Sequence, residues 1–276
     1  RTCTFRLTVD DRTPPVAACD DFTNVSLGVN GEAFVFATTF DDGSYDNCGK
    51  VSFKARRMDS NGCQSTGQFF DEVKFCCEDI GDTITVVFRA YDIVANTGDV
   101  SLTYEEQNAN DCMVRVFVED KIKPFCKAPA HVTVACEAFD PTLWAYGFAT
   151  AEDNCCIDTI TETRNLNQFD TLCNRGTIIR TFRAFDCGGQ TNTCTQRVVV
   201  NYNQNYYLRF PNDVIVTACN GTGNYGEPAF FGEDCELLAV SHQDEIFTVV
   251  PDACFKIERT WTENNWCTYD KHLGCI

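Results

Sequence analysis

Cys3-Thr-Phe-Arg-Leu-Thr-Val-Asp-Asp11 decides how this chain is organised. Cys3, Phe5, Leu7 and Val9 fall on one face of an extended chain, and Thr4, Arg6, Thr8 and Asp10 on the other. That alternation predicts a half-buried β-strand. The strand recurs as Cys112-Met-Val-Arg115-Val-Phe-Val118-Glu-Asp120 and as Cys194-Thr-Gln-Arg197-Val-Val-Val200-Asn. Each later copy closes a repeat. The first has no body in front of it.

Working outward, Val86-Val-Phe88-Arg-Ala-Tyr-Asp92 precedes the second copy and Arg180-Thr-Phe182-Arg-Ala-Phe-Asp186 precedes the third. A further version, Arg259-Thr-Trp261-Thr-Glu-Asn-Asn265, is followed by Cys267, Cys275 and Ile276 where a last strand is due. The chain therefore reads as three circularly cut repeats. Residues 1–11 are a donor-like strand, 12–120 and 121–203 are complete, and 204–276 lacks its final strand. Three arrangements complete it. Residues 3–10 insert into a neighbouring copy, with Phe5, Leu7 and Val9 each bringing about 1.5–3 kcal/mol on burial. Alternatively the sequence is one period of a longer polypeptide, or the strand folds back on its own first repeat.

The acidic balance, net charge -18, lacks the basic footprint of a nucleic-acid binder. No apolar run of membrane-spanning length exists, and no signal-peptide pattern opens the chain, which reads as a processed or excised segment. Nineteen cysteines with no Cys-x-x-Cys and three scattered histidines argue for disulfides rather than zinc, and so for an extracellular setting. The odd count leaves at least one thiol free or bonded to another molecule. With Cys3 assigned to the incomplete repeat, the three repeats hold six, seven and six cysteines, which places the leftover thiol in the second. Cys187 and Cys194 bracket a turn and would close a hairpin, and Cys3 would meet Cys267 or Cys275.

Linkers 10–15 and 119–124 carry proline and are stiff; the third, 201–207, does not. Each leads to a new strand and then an acidic bend: Asp41-Asp-Gly-Ser-Tyr-Asp46-Asn-Cys48, Glu152-Asp-Asn-Cys155 and Glu233-Asp-Cys235. Helical periodicity is absent. Short alternating strands separated by turns predict an all-β chain of three tandem immunoglobulin-like β-sandwiches, stapled by disulfides.

The Asp-Asn-Cys bend, the Arg-Thr-Phe/Trp strand and the Cys-x-x-Arg-Val-x-Val strand with its following Asp resemble the HYR (hyalin repeat) family, over essentially the whole chain. The likeness is strongest to the long tandem repeats of secreted bacterial surface proteins, including gliding adhesins. It implies an extracellular scaffold or adhesive module. The first repeat lacks a cysteine at the place of Cys187, and the third linker lacks the prolines.

Several constellations carry chemistry. Asp41, Asp42, Ser44, Asp46 and Asn47 offer oxygen donors for calcium, joined by linker carboxylates Asp10, Asp11, Glu119 and Asp120; the plain alternative is a solvated acidic turn. Asn24 and Asn220 head N-glycosylation sequons. Thr83, Thr159 and Thr171 lie in Asp-Thr-apolar triplets that resemble an O-glycosylation motif of secreted bacterial proteins. No nucleophile-elbow, zinc-helix or phosphate-loop motif is present, so no catalytic residues are expected. Phe88, Phe182 and Trp261 are expected in cores. The function expected is a subunit of an extracellular filament, assembling head-to-tail with itself. The competing expectation is an adhesin segment binding glycan or protein, which exposed Trp144, Tyr146 and Phe148, or Tyr225 and Phe231, would favour.

Overall fold

The computed structural model describes residues 1–7, 11–60, 62–93, 108–217, 219, 225–233, 235–249, 251 and 253–268. Val9, Asn220 and Cys275 lie outside them. The described residues form β1 (Phe22–Ser26), β2 (Glu32–Phe36), β3 (Lys50–Arg57), β4 (Glu72–Cys76), β5 (Thr83–Ile93), β6 (Ala109–Glu119), β7 (Phe125–Lys127) and β8 (Val132–Ala135). Then follow β9 (Thr150–Glu152), β10 (Ile157–Asp170), β11 (Arg175–Asp186), β12 (Thr191–Asn201), β13 (Tyr207–Arg209), β14 (Ala229–Phe231), β15 (Leu238–Phe247) and β16 (Lys256–Asn265). The helical segments among them are short 3-10 turns, so the chain is all-β. None is long and apolar enough to cross a membrane.

Two compact units divide the chain. The first comprises 1–127, 150–161 and 183–193; the second comprises 128–149, 162–182 and 194–276. Both take residues from the segment 121–203, because the long strands β10, β11 and β12 are each shared between them.

In the first unit a sheet ordered β1-β6-β5-β3 faces the pair β2-β4. Val25, Ala55, Val73, Phe75, Phe88, Val114, Val116 and Val118 from both layers bury into one cluster. The alternation read from sequence places them there: Val114, Val116 and Val118 point inward from β6 while Arg115 points out. Phe88 is fully buried, as expected. The β1–β6 pair is parallel, Phe22 opposite Arg115 and Ser26 opposite Glu119. Cys19–Cys112 closes a separation of 93 residues, worth about 4–5 kcal/mol in the chain-entropy account. Arg57, buried, grips Asp79 with two bonds of 2.7 and 2.5 Å, and Asp79 also accepts from the Cys76 amide.

In the second unit β12 pairs in parallel with β8, Val198 opposite Val132. This is the β6–β1 arrangement again, in a sheet ordered β10-β11-β12-β8. Ile178, Val198, Val200 and Leu143 form its core, and Phe182 is buried as expected. Arg180 lies among them, bonded to Glu162, Gln196 and the Gly147 carbonyl. The antiparallel pairs β13–β14 and β15–β16 complete the unit. Trp261 is half-buried against Phe210 and His242 rather than enclosed.

The disulfides depart from the pattern expected within repeats. Cys77–Cys155 joins 12–120 to 121–203, and Cys136–Cys235 and Cys173–Cys267 join 121–203 to 204–276. Cys187 bonds Cys156, not Cys194, because the Cys187 amide already donates to the Cys156 carbonyl and brings the two together. Cys63–Cys76 and Cys219–Cys254 are local. Cys126 and Cys194, at the places that Cys19 and Cys112 hold earlier, are also disulfide-bonded. The free thiols among the described residues are Cys3 and Cys48, both exposed, so the leftover thiol is not in 121–203. Cys267 is committed to Cys173 and is removed as a partner for Cys3.

Candidate functional site

Strand alternation delivers a carboxylate to the end of each core face. Along β5, Val86, Phe88, Ala90 and Asp92 all turn inward; along β11, Phe182, Ala184 and Asp186 do. Asp92 and Asp186 are only 3% and 4% exposed. Among the described residues neither has a cation beside it.

Asp92 meets Asp11 from the linker and Asp46 from the bend, and one oxygen of each lies within 4.8 Å of the others. The outer oxygens are held by the backbone. Asp11 Oδ1 accepts from the Thr13 amide at 3.0 Å, and Asp46 Oδ2 accepts from the Cys48 amide at 2.9 Å. These short-range turns explain the Asp residues at those spacings. The remaining Asp11 Oδ2, Asp46 Oδ1 and Asp92 Oδ2 are buried and unpartnered. Burial, then Asp46 and Asp11, pushes the Asp92 carboxyl above the ordinary carboxylate range. The Thr13 amide holds Asp11 below it.

The same construction recurs around Asp186. Asp120 Oδ1 accepts from the Ile122 amide and Asp153 Oδ2 from the Cys155 amide, each two residues on. Asp186 Oδ1 accepts from the Gln190 amide, and Asn154 Nδ2 bonds Asp120 Oδ2 at 2.9 Å. Asp153 Oδ1, Asn154 Oδ1 and Asp186 Oδ2 are left unpartnered. Burial raises Asp186, with Asp153 and Asp120 adding to it and the Gln190 amide opposing. Packing is close: a Cβ on Gly188 would stand 2.9 Å from that of Asp120, and one on Gly31 (φ 74°) 2.6 Å from Cys77 Sγ.

The third version is chemically different. Asn265 stands where Asp186 and Asp92 do, and Tyr202 where Asp120 and Asp11 do. The Tyr202 hydroxyl donates to Glu236, at 2.8 Å from both carboxylate oxygens, and Asn265 Nδ2 donates to Glu236 Oε2 at 2.7 Å. Burial and Glu236 push Tyr202 up to about 12.

No protein-family model matches the chain, and no curated protein does. Solved structures align over much of it. Protocadherin gamma B2 extracellular cadherin domains 1–5 are 13% identical over 89% of this chain and 52% of that one, TM-score 0.28. The human desmocollin-1 ectodomain is 12% identical over 71% and 43%, TM-score 0.32, and mouse cadherin-23 EC22–24 is 15% identical over 80% and 78%, TM-score 0.32. The chain spans about half the length of the first two. Scores this low assign no family and no activity.

Of the residues expected to hold calcium, Asp11, Asp46 and Asp120 are in the clusters. Asp10 lies outside the described residues, and the rest are engaged elsewhere: Glu119 pairs with Lys121. Asp41 Oδ1 caps the Ser44 amide, Ser44 Oγ bonds the Ala18 backbone, Asp42 is exposed, and Asn47 donates to Cys48 Sγ. Asp92, Asp153, Asn154 and Asp186 were missed; the signal was the shared Asp ending Arg-Ala-Tyr-Asp92 and Arg-Ala-Phe-Asp186. Thr83, Thr159, Thr171 and Asn24 are exposed.

A second feature is an unpaired edge. By the pattern of β1 and β8, the segment 213–217 belongs beside a last strand. Among the described residues it pairs with nothing, and Val214, Ile215 and Val216 are exposed, Ile215 at 95%. Phe5 and Leu7 are exposed at 86% and 76% in a stretch that takes no strand conformation here.

Of the aromatic sets, Trp144 and Phe148 are exposed and meet edge-to-face at 5.7 Å. Tyr146 is half-buried, its hydroxyl accepting from the Asp140 amide. Leu143 before them is buried with a left-handed φ of 66°, which costs a non-glycine residue about 1–3 kcal/mol. Tyr225 is half-buried, and Phe231 is exposed and stacked on Tyr207 at 4.7 Å.

Proposed function

We propose that this chain is a structural segment of an extracellular fibre made of HYR-type, immunoglobulin-like sandwiches. Residues 3–10 supply the last strand to residues 204–276 of the next copy. The carrying observation is the exposed apolar edge at Val214–Val216, where the β1–β6 and β8–β12 pairings call for a strand like Cys112–Val118. Main-chain pairing and burial of Phe5, Leu7 and Val9 would drive the insertion. The cysteines support the same direction. Bend cysteines Cys155 and Cys235 each bond the segment before them, to Cys77 and Cys136. Cys48, their counterpart in 12–120, is exposed and free for a bond to a preceding segment. Cys275 remains a candidate for Cys3.

A second reading is favoured by the Trp144–Phe148 pair on its strained turn: an adhesive segment of a longer surface protein, taking glycan or protein, with calcium at its linkers. Glycosylation at Thr83, Thr159, Thr171, Asn24 or Asn220 fits either.

Native material, run under non-reducing and reducing denaturing conditions with intact-mass and disulfide mapping, tests the proposal. The fibre reading expects a ladder that collapses to the mass of 276 residues on reduction, with cross-links from Cys3 or Cys48 to another copy. A very large polypeptide that survives reduction overturns the assembly and leaves the second reading.

A further inference from the structure

We propose that the two buried carboxylate clusters are sites for a divalent cation of calcium type. Asp11, Asp46 and Asp92 hold one ion; Asp153, Asn154 and Asp186, with Asp120 beside them, hold the other. The inference deepens the scaffold reading, on which it rests, by giving its linkers a ligand.

Six buried side-chain oxygen or nitrogen atoms lack a hydrogen-bond partner among the described residues: Asp11 Oδ2, Asp46 Oδ1, Asp92 Oδ2, Asp153 Oδ1, Asn154 Oδ1 and Asp186 Oδ2. They divide three and three between the two clusters. Buried side-chain nitrogen and oxygen atoms elsewhere among the described residues are satisfied, as is usual in native proteins. A pair of equivalent exceptions in a satisfied background points to missing partners rather than to poor packing. All six are oxygens with lone pairs, so what they call for is a hydrogen-bond donor or a cation, and the convergence of carboxylates favours the cation. Two further carboxylates, Asp11 and Asp46, converge on Asp92, 3% exposed, with no Lys, Arg or His among the described residues facing it.

The donor set selects the ion. Carboxylate and amide oxygens suit calcium, magnesium and manganese, and thiols and imidazoles suit zinc. The thiol beside the first cluster, Cys48, is exposed, and its counterpart Cys155 is spent in a disulfide. Ligands from a linker, a bend and a strand end form the loose, irregular cage that calcium accepts and octahedral magnesium does not. The backbone bonds from Thr13 and Cys48, and from Cys155 and Gln190, aim the unpartnered oxygens before any ion arrives. An ion held by residues 11, 46 and 92 would fix the linker to the bend and to the end of β5, stiffening it. Where Asn265 and Tyr202 replace the carboxylates, hydrogen bonds to Glu236 already satisfy the position and no site is expected.

The test is calorimetric titration of the full chain, stripped with chelator, with CaCl2 up to about 10 mM, above the weakest affinities of extracellular calcium modules. Thermal melts run in parallel. Two ions per chain and a melting rise of several degrees are expected. Asp92→Asn and Asp186→Asn should each leave one ion, the double variant none, and Asp42→Asn two. The ion remaining in a single variant reports that it has folded; Asp46→Asn serves if Asp92→Asn does not. No heat and no melting shift would overturn the inference. So would two ions persisting in the double variant, or a response to ZnCl2 without one to CaCl2. Because the stoichiometry is read on monomeric chain, calcium binding without polymerisation sinks the strand exchange alone, and the converse sinks the ion sites alone.

Discussion

Replacing Arg180 with alanine removes the centre of a buried network. The side chain is fully enclosed and makes bonds of 2.9 and 3.0 Å to the two Glu162 oxygens, 2.7 Å to Gln196 Oε1 and 2.9 Å to the Gly147 carbonyl. Truncating one partner of a buried pair costs about 3–5 kcal/mol, because the other charge stays behind without its partner. Glu162 keeps 14% of its side chain in contact with water and a second partner in Arg164, which places the expected loss at the lower end, about 3 kcal/mol. For a unit of this size that is a melting drop of about 6–12 °C. The pH dependence gives an independent readout. Arg180, ahead of Arg164, holds the Glu162 carboxyl below its ordinary 4.5. The folded state therefore binds fewer protons than the unfolded chain in that range. The stability this supplies is present above 4.5 and is lost as pH falls through the lowered folded value. Arg180→Ala should flatten that acid limb, and Arg180→Met with Glu162→Leu should recover most of the melting loss. A drop under about 1 kcal/mol with an unchanged acid limb would refute the reasoning, since exposed pairs are worth no more than that.

Three further expectations are accessible. Replacing Cys77 and Cys155 together with serine should cost about 2–5 kcal/mol by denaturant melts, the usual loss for a native disulfide; here it closes a separation of 78 residues. In chelator, Asp92 should oppose stability at neutral pH, because its raised carboxyl is charged in the fold at a cost the unfolded chain does not bear. That opposition disappears as pH falls through the raised folded value, so the melting difference between Asp92→Asn and the parent should be largest near pH 7 and shrink toward pH 4; a constant difference would remove the assignment. Ile215→Asp, at an exposed position, should change monomer stability by no more than about 0.5 kcal/mol while blocking fibre growth followed by light scattering. A variant that still polymerises would show that the Val214–Val216 edge is not the acceptor.

Much of the architecture was legible in local pattern. The period-two alternation of Cys112–Val118 and Val86–Asp92 fixes which residues enter the core, since a one-residue slip would turn Val114, Val116 and Val118 to water. The repetition of those motifs also anticipates that β1–β6 and β8–β12 occupy equivalent places, whereas their parallel direction departs from the antiparallel pairing that short alternating strands suggest. The carboxylates of the two clusters were only half legible. Asp11, Asp46 and Asp120 announce themselves in polar linkers and turns, whereas Asp92 and Asp186 end apolar strands and look like ordinary edge residues until three chain segments converge on them.

By itself, then, the sequence determined an all-β, disulfide-stapled chain with three copies of one strand motif, beginning at Cys3, Cys112 and Cys194. Only the tertiary structure decided the partners. Cys77 finds Cys155 and Cys136 finds Cys235 across 78 and 99 residues because in each case a cysteine opening a short 3-10 turn meets the acidic bend that follows. Nothing in the local spacing of cysteines encodes which loops share an end. The same convergence leaves six buried side-chain oxygens without partners among the described residues. Alternation is a property of neighbours a few ångströms apart along the chain, while pairing and desolvation are properties of where distant segments come to rest.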